Sequence, residues 1–156
     1  MRVADAVLVL TAAVAIIAGR PAWDGQASGS ITVSPIGADA PTCAESFVGW
    51  RDATGTERPW TEPASLRSNG ALLACPPRDG TMRFDLMGSA ALGRHAHALV
   101  VAGGTTAFDG EVVNRSRMTL EVSERTPVLI AFVNDLYRSP EEDRDLWIGP
   151  VDFTTP

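Results

Sequence analysis

The feature that most narrows the possible folds is a series of short runs alternating apolar and polar residues, parted by turn formers. Residues 81–87 (TMRFDLM) set Met82, Phe84 and Leu86 against Arg83 and Asp85, the pattern of a strand with one face buried. Residues 117–123 (RMTLEVS) repeat it, with Met118, Leu120 and Val122 facing in and Thr119 and Glu121 facing out. Further strands are predicted at 30–34, 46–50, 71–75, 95–102 (HAHALVVA), 111–113, 127–133 (PVLIAFV), 146–148 and 151–153. Gly, Pro, Asn, Asp and Ser separate them. Short strands at this spacing, with no helical periodicity beyond an N-terminal apolar stretch, predict an all-β fold: an antiparallel, jelly-roll-like β-sandwich.

A chain of 156 residues has room for one hydrophobic core. Its 45% apolar and 21% charged content is that of a folded domain, not a disordered segment. Residues 6–19 (AVLVLTAAVAIIAG) are apolar except for Thr11. They are long enough for a signal-peptide core and short of the roughly 18 to 20 residues that span a bilayer. The expected organisation is a signal peptide or N-terminal anchor with the start of a linker over 1–27, then a single sandwich domain over 28–156. Both forms of the leader put that domain outside the cytoplasm, secreted or periplasmic, with membrane contact only if the leader stays uncleaved. Cys43 and Cys75 are the two cysteines, and an even pair in an oxidising compartment is most simply a disulfide.

The formal charge is −6, and all 13 basic residues are Arg. An acidic chain without a basic run repels phosphate backbones, which makes nucleic acid and anionic lipid poor partners. The densest polar feature is the connection 134–145 (NDLYRSPEEDRD). It carries five carboxylates, at Asp135, Glu141, Glu142, Asp143 and Asp145, against Arg138 and Arg144, for a net charge of −3. Such a loop folds tightly only if the carboxylates stay in water or a cation draws them together. Hard oxygen ligands suit Ca²⁺, which takes six to eight oxygens, backbone carbonyls among them. The EF-hand register is absent, and Pro140 stands where its turn Gly belongs.

The stretch 128–153 (VLIAFVNDLYRSPEEDRDLWIGPVDF) resembles the closing strands of the calcium-dependent, xylan-binding type of carbohydrate-binding module. That family shows F-x-N-D, a short acidic or Gly-rich loop, and then D-R-N-L-Y-[VI]-D. Here FVND covers 132–135 and DRDLWI covers 143–148. Upstream, Gly80-Thr81 opening an alternating strand and Gly93-Arg94-His95-Ala96-His97 before an apolar run are similar to the family's strand and G-x-W-P-H loop. The resemblance extends over about 80–153. It implies that Asp135 and Asp143, with the carbonyl of Glu142 beside them, hold Ca²⁺, and that two adjacent sugar hydroxyls complete its coordination. The chain departs from the pattern at Asp145 (Asn in the family), Trp147 (Tyr) and Gly149 (Asp).

On the same reading Asn134, Tyr137, Arg144, Asp145, Trp147 and His97 are candidate ligand-binding residues. Rings of Tyr and Trp suit pyranose stacking because they bring large contact area at little entropy cost. Tyr137, within the acidic loop, is the first choice. For Trp147 an outward ring and a buried one are equally compatible with alternation, and Trp50 and Trp60 are expected in the core. His95 and His97 lack a third ligand and read as ordinary hydrogen-bonded histidines. Neighbouring acids in one loop cannot flank a glycosidic bond from opposite sides, and no nucleophile elbow or phosphate-cradling loop is present. The expectation is a noncatalytic, Ca²⁺-dependent polysaccharide binder. The alternatives are an exported structural or partner-binding sandwich without metal, and an accessory protein of cell-surface polysaccharide assembly.

Overall fold

The computed structural model describes residues 43–156; the leader at 6–19, the candidate strand at 30–34 and the start of the predicted domain lie outside them. The elements in chain order are all strands: β1 (Phe47–Asp52), β2 (Glu57–Pro59), β3 (Ala64–Leu66), β4 (Gly70–Cys75), β5 (Gly80–Gly88), β6 (Ala90–Ala91), β7 (Arg94–His95), β8 (His97–Ala102), β9 (Thr105–Glu111), β10 (Arg115–Val122), β11 (Val128–Phe132), β12 (Tyr137–Ser139), β13 (Glu142–Asp143), β14 (Leu146–Ile148) and β15 (Asp152–Thr154). The expected all-β sandwich is what forms.

One sheet has six strands in the order β2-β1-β4-β11-β8-β9, and the other has five, β10-β5-β14-β3 with β15 also on β5. Every pairing is antiparallel. Two short hairpins, β6–β7 and β12–β13, stand apart from both sheets. Alternation explains which faces meet. Met82, Phe84 and Leu86 of β5 and Met118, Leu120 and Val122 of β10 enter the same core as Trp50, Leu72, Val100, Ile130 and Phe132 of the six-stranded sheet. Trp50 meets Phe84 edge-on across the gap, with ring centroids 5.6 Å apart and planes at 82°. Such a pair adds about 0.5–1.5 kcal/mol beyond its buried area. β11 sits between β4 and β8, and its unbroken apolar run is that of a central strand.

Cys43 and Cys75 form a disulfide. Leu72 and Ala74 point into the core, so Cys75 and Leu73 take the other face of β4, and the bridge fastens residue 43 to the outside of the six-stranded sheet.

One strand boundary needs correction. Residues 111–113 do not form a strand of their own: β9 ends at Glu111, Val112 is buried in the core, and Val113 is exposed in the turn into β10. Apolar character there reflects a turn residue plugging the core, not a strand period.

The path of the chain positions the site. Three connections pass from one sheet to the other at the same end of the sandwich: β3 to β4 directly, β5 to β8 through the β6–β7 hairpin, and β11 to β14 through the β12–β13 hairpin. Leu66 pairs with Leu146, Gly88 with Leu146, and Phe132 with both Gly70 and Ala98, so the ends of all these strands stand together.

Candidate functional site

The acidic connection is one of those three crossings, and its neighbours brace it. Asn134 follows directly from β11 and joins two crossings. Its Oδ1 accepts the backbone N–H of His97 at 2.6 Å, and its Nδ2 donates to the carbonyl of His95 at 2.8 Å. Arg144 spans the loop from the other side, donating through Nη1 to the carbonyl of Asn134 at 2.8 Å and through Nε to that of Ala91 at 3.4 Å. The Ser89 hydroxyl donates to the carbonyl of Asp143 at 2.7 Å and accepts the N–H of Asp145 at 2.6 Å. Asn69 accepts the N–H of Asp135 at 2.8 Å. The frame thus grips the loop through its backbone N–H and C=O groups rather than through its carboxylates.

Asp135, Asp143 and Asp145 come together inside this frame. Each keeps its Oδ1 buried and, among the described residues, without a hydrogen-bond partner, a costly condition for a carboxylate oxygen. Burial pushes the Asp135 carboxyl above its ordinary range, and the charges of Asp143 and Asp145 push it further. Burial and then the charge of Asp143 raise Asp145 as well, against the pull of Arg67. The three acids are thus close enough to repel one another in a partly desolvated setting. Among the described residues, however, no three His, Cys, Asp or Glu side chains are already gathered into a metal-binding arrangement. The acids are neighbours, not a closed cage.

The other candidates take distinct positions. Glu142 pairs through its side chain with Arg138 at 3.4 Å. Tyr137 begins β12 and is 66% exposed. The Nε2 of His97 lies 2.6 Å from Asp109 Oδ1, and its backbone is held by Asn134. The amide of Asn134 is committed to the frame. Trp50 and Trp60 are core residues as expected, whereas Trp147 lies on the outer face of β14, because Leu146 and Ile148 on either side are fully buried.

Position 149 also has a clear place. The N–H of Gly149 donates to the carbonyl of Asp85 at 2.8 Å, and a Cβ built there would stand 3.7 Å from that of Asp85. A carboxylate at 149 would face Asp85, beyond the end of β14, while Asp145 precedes that strand; the missing acid is not taken from the cluster. Residues that sequence reasoning did not single out, Ser89, Asn69 and Arg67, reach the loop from far along the chain, and no local pattern marks them.

No protein family matches this sequence, and no curated protein does. Among solved structures, the chain is similar to the secreted serine protease VesC from Vibrio cholerae, with a TM-score of 0.43 at 10% identity over 57% of this chain and 19% of that one. It is also similar to the CBM51 module of a Clostridium perfringens GH95 protein in complex with methyl-galactose, with a TM-score of 0.43 at 7% identity over 69% of this chain and 79% of that one. The chain thus spans less than a fifth of the protease and about four fifths of the module. Likenesses this faint carry no argument about activity.

Proposed function

We infer that the protein is an exported, noncatalytic binder of polysaccharide whose acidic loop holds Ca²⁺ through Asp135, Asp143 and the carbonyl of Glu142, with Asp145 adding a third carboxylate. The observation that carries this reading is the set of three buried carboxylate oxygens on Asp135, Asp143 and Asp145 that have no hydrogen-bond partner among the described residues. Hard oxygen donors of this kind fit a hard divalent cation, which removes both their repulsion and their lack of partners. When bound, the cation supplies open coordination positions to a vicinal sugar diol. The N-D and D-R motifs that resemble the xylan-binding modules support the same assignment, and the disulfide supports an oxidising compartment.

The residues of the chain divide the work. Asn134, Arg144 and Ser89 hold the loop backbone and so fix where the acids point. Tyr137, exposed on the β12–β13 hairpin, offers a ring to a sugar above them.

The rival is an exported sandwich that binds a protein partner without metal, and the observation on its side is that the acids are not preassembled into a cage. Thermal melting with Ca²⁺ and with excess EGTA separates the two, since a ligand bound only by the native state raises its stability. A higher midpoint in Ca²⁺, with EGTA-sensitive retention on xylan, supports the proposal. An unchanged midpoint with no Ca²⁺-dependent retention on xylan, mannan or glucan overturns it.

A further inference from the structure

The outer face of the five-stranded sheet carries a row of residues that continues from the acid cluster. Trp147 of β14 lies opposite Met87 of β5 and Ser65 of β3, and Met87 lies opposite Arg115 of β10. Asp145 precedes Trp147 by two residues, just before β14 begins. One row further, Asp85 lies opposite Arg117. Going outward from the acids, the surface is therefore negative at Asp145, apolar at Trp147 and Met87, and basic at Arg115 and Arg117.

The apolar middle is partly open: Met87 is 38% exposed, and Trp147 opposite it is half-buried. The basic end is not neutralised. Asp85 bonds to both guanidiniums, and its carboxyl is held down at about 2, first by Arg115 and then by Arg117, so one negative charge faces two positive ones. The side chain of Asp85 is only 16% exposed, while those of Arg115 and Arg117 are 59% and 70% exposed. Each guanidinium thus keeps donors directed to solvent. This is an island of positive charge on a chain whose formal charge is −6. Adjacent strands lie about 4.8 Å apart, so the backbones of Trp147 and Arg115 are about 10 Å apart, a span of roughly two sugar units.

We propose that this face makes the protein a reader of acidic glycans: a sugar ring packs on Trp147 and Met87, and the carboxylate of a uronic acid in the same chain is held by Arg115 and Arg117. The inference rests on the glycan-binding reading above and names its substrate class. A carboxylate offers two oxygens to the two-pronged guanidinium fork, and in a polysaccharide chain a uronic acid supplies it. A neutral chain would leave the basic end without a partner.

The test compares the intact protein's retention on glucuronoxylan, on the same polymer after reduction of its carboxyl groups, and on a sulfated xylan, all in Ca²⁺. Native polymer should bind about tenfold more tightly than the reduced one. Arg115→Gln with Arg117→Gln should erase that preference while leaving affinity for reduced polymer and the EGTA effect intact. Equal affinity for native and reduced polymer would overturn the acidic-glycan inference with the calcium-dependent reading still standing. Stronger binding to the sulfated polymer would overturn the choice of a carboxylate. Loss of all binding with no response to EGTA would overturn both readings. If the double variant fails to fold, the comparison of native and reduced polymer on the unaltered protein still decides the question.

Discussion

Asn134 clamps the backbone of His97, and in doing so ties two crossings of the sandwich together. Its Oδ1 takes the N–H of His97 at 2.6 Å, and the same amide donates to the carbonyl of His95. Both motifs that resemble the xylan-binding modules, FVND and the loop before β8, therefore meet at one side chain. The sequence marks Asn134 and His97 as candidate ligand-binding residues, and the geometry joins the Asn134 side chain to the His97 backbone. Replacing Asn134 by Ala leaves a half-buried N–H and C=O without partners. That should cost about 1–3 kcal/mol, read as a lower urea midpoint at unchanged m-value. A change within a few tenths of a kcal/mol would show that the clamp is dispensable.

The bridge between Cys43 and Cys75 closes a loop with a sequence separation of 32. In the chain-entropy description, removing it as Cys43→Ser with Cys75→Ser costs about 3–4 kcal/mol. Denaturation of the double variant beside the oxidised protein measures this directly. Equal stability would mean that the constraint on the unfolded chain is offset by strain in the native one.

Asp85 sets a different limit. Its carboxyl is depressed to about 2, by Arg115 first and Arg117 second, so the folded protein holds that proton less tightly than the unfolded chain does. The resulting stabilisation is complete above the ordinary carboxylate pKa of 3.8 and is lost as pH falls from there towards 2. Melting the protein and its Asp85→Asn variant between pH 6 and pH 2 should show a shallower acid limb in the variant. Parallel curves would remove Asp85 from the account of acid sensitivity.

How far the sequence reveals this structure depends on residue period. β5 and β10 are readable because each sets its apolar residues two apart, and β11 because its apolar run is unbroken. β9 is not: in TTAFDGE, Phe108 is the one large apolar residue, and an edge strand with little to bury leaves no alternation. The short strands of the crossings hold two or three residues each, too few for any period. The acids of the site are legible as a charge-dense loop. Their neighbours Ser89 and Asn69 are not, since each contact joins residues more than fifty positions apart. Met87, Arg115 and Arg117 carry no mark in the sequence, and only strand register places them in line with Trp147.

The acid cluster carries the sharpest prediction, because removing charge from it should act in opposite directions with and without the ion. Asp135 and Asp145 are raised by burial and then by the charge of Asp143. In EGTA at neutral pH the ionised trio therefore weakens the fold, so Asp143→Asn, which keeps the shape and removes one charge, should raise the melting temperature. In Ca²⁺ the unaltered protein should gain stability and the variant should gain little, because a carboxylate ligand is gone. The two melting curves should thus change order when EGTA is replaced by Ca²⁺. A variant less stable than the unaltered protein in EGTA would mean that Asp143 makes a favourable contact outweighing the repulsion. Equal Ca²⁺ shifts in the two proteins would place the ion, and with it the sugar diol, somewhere else.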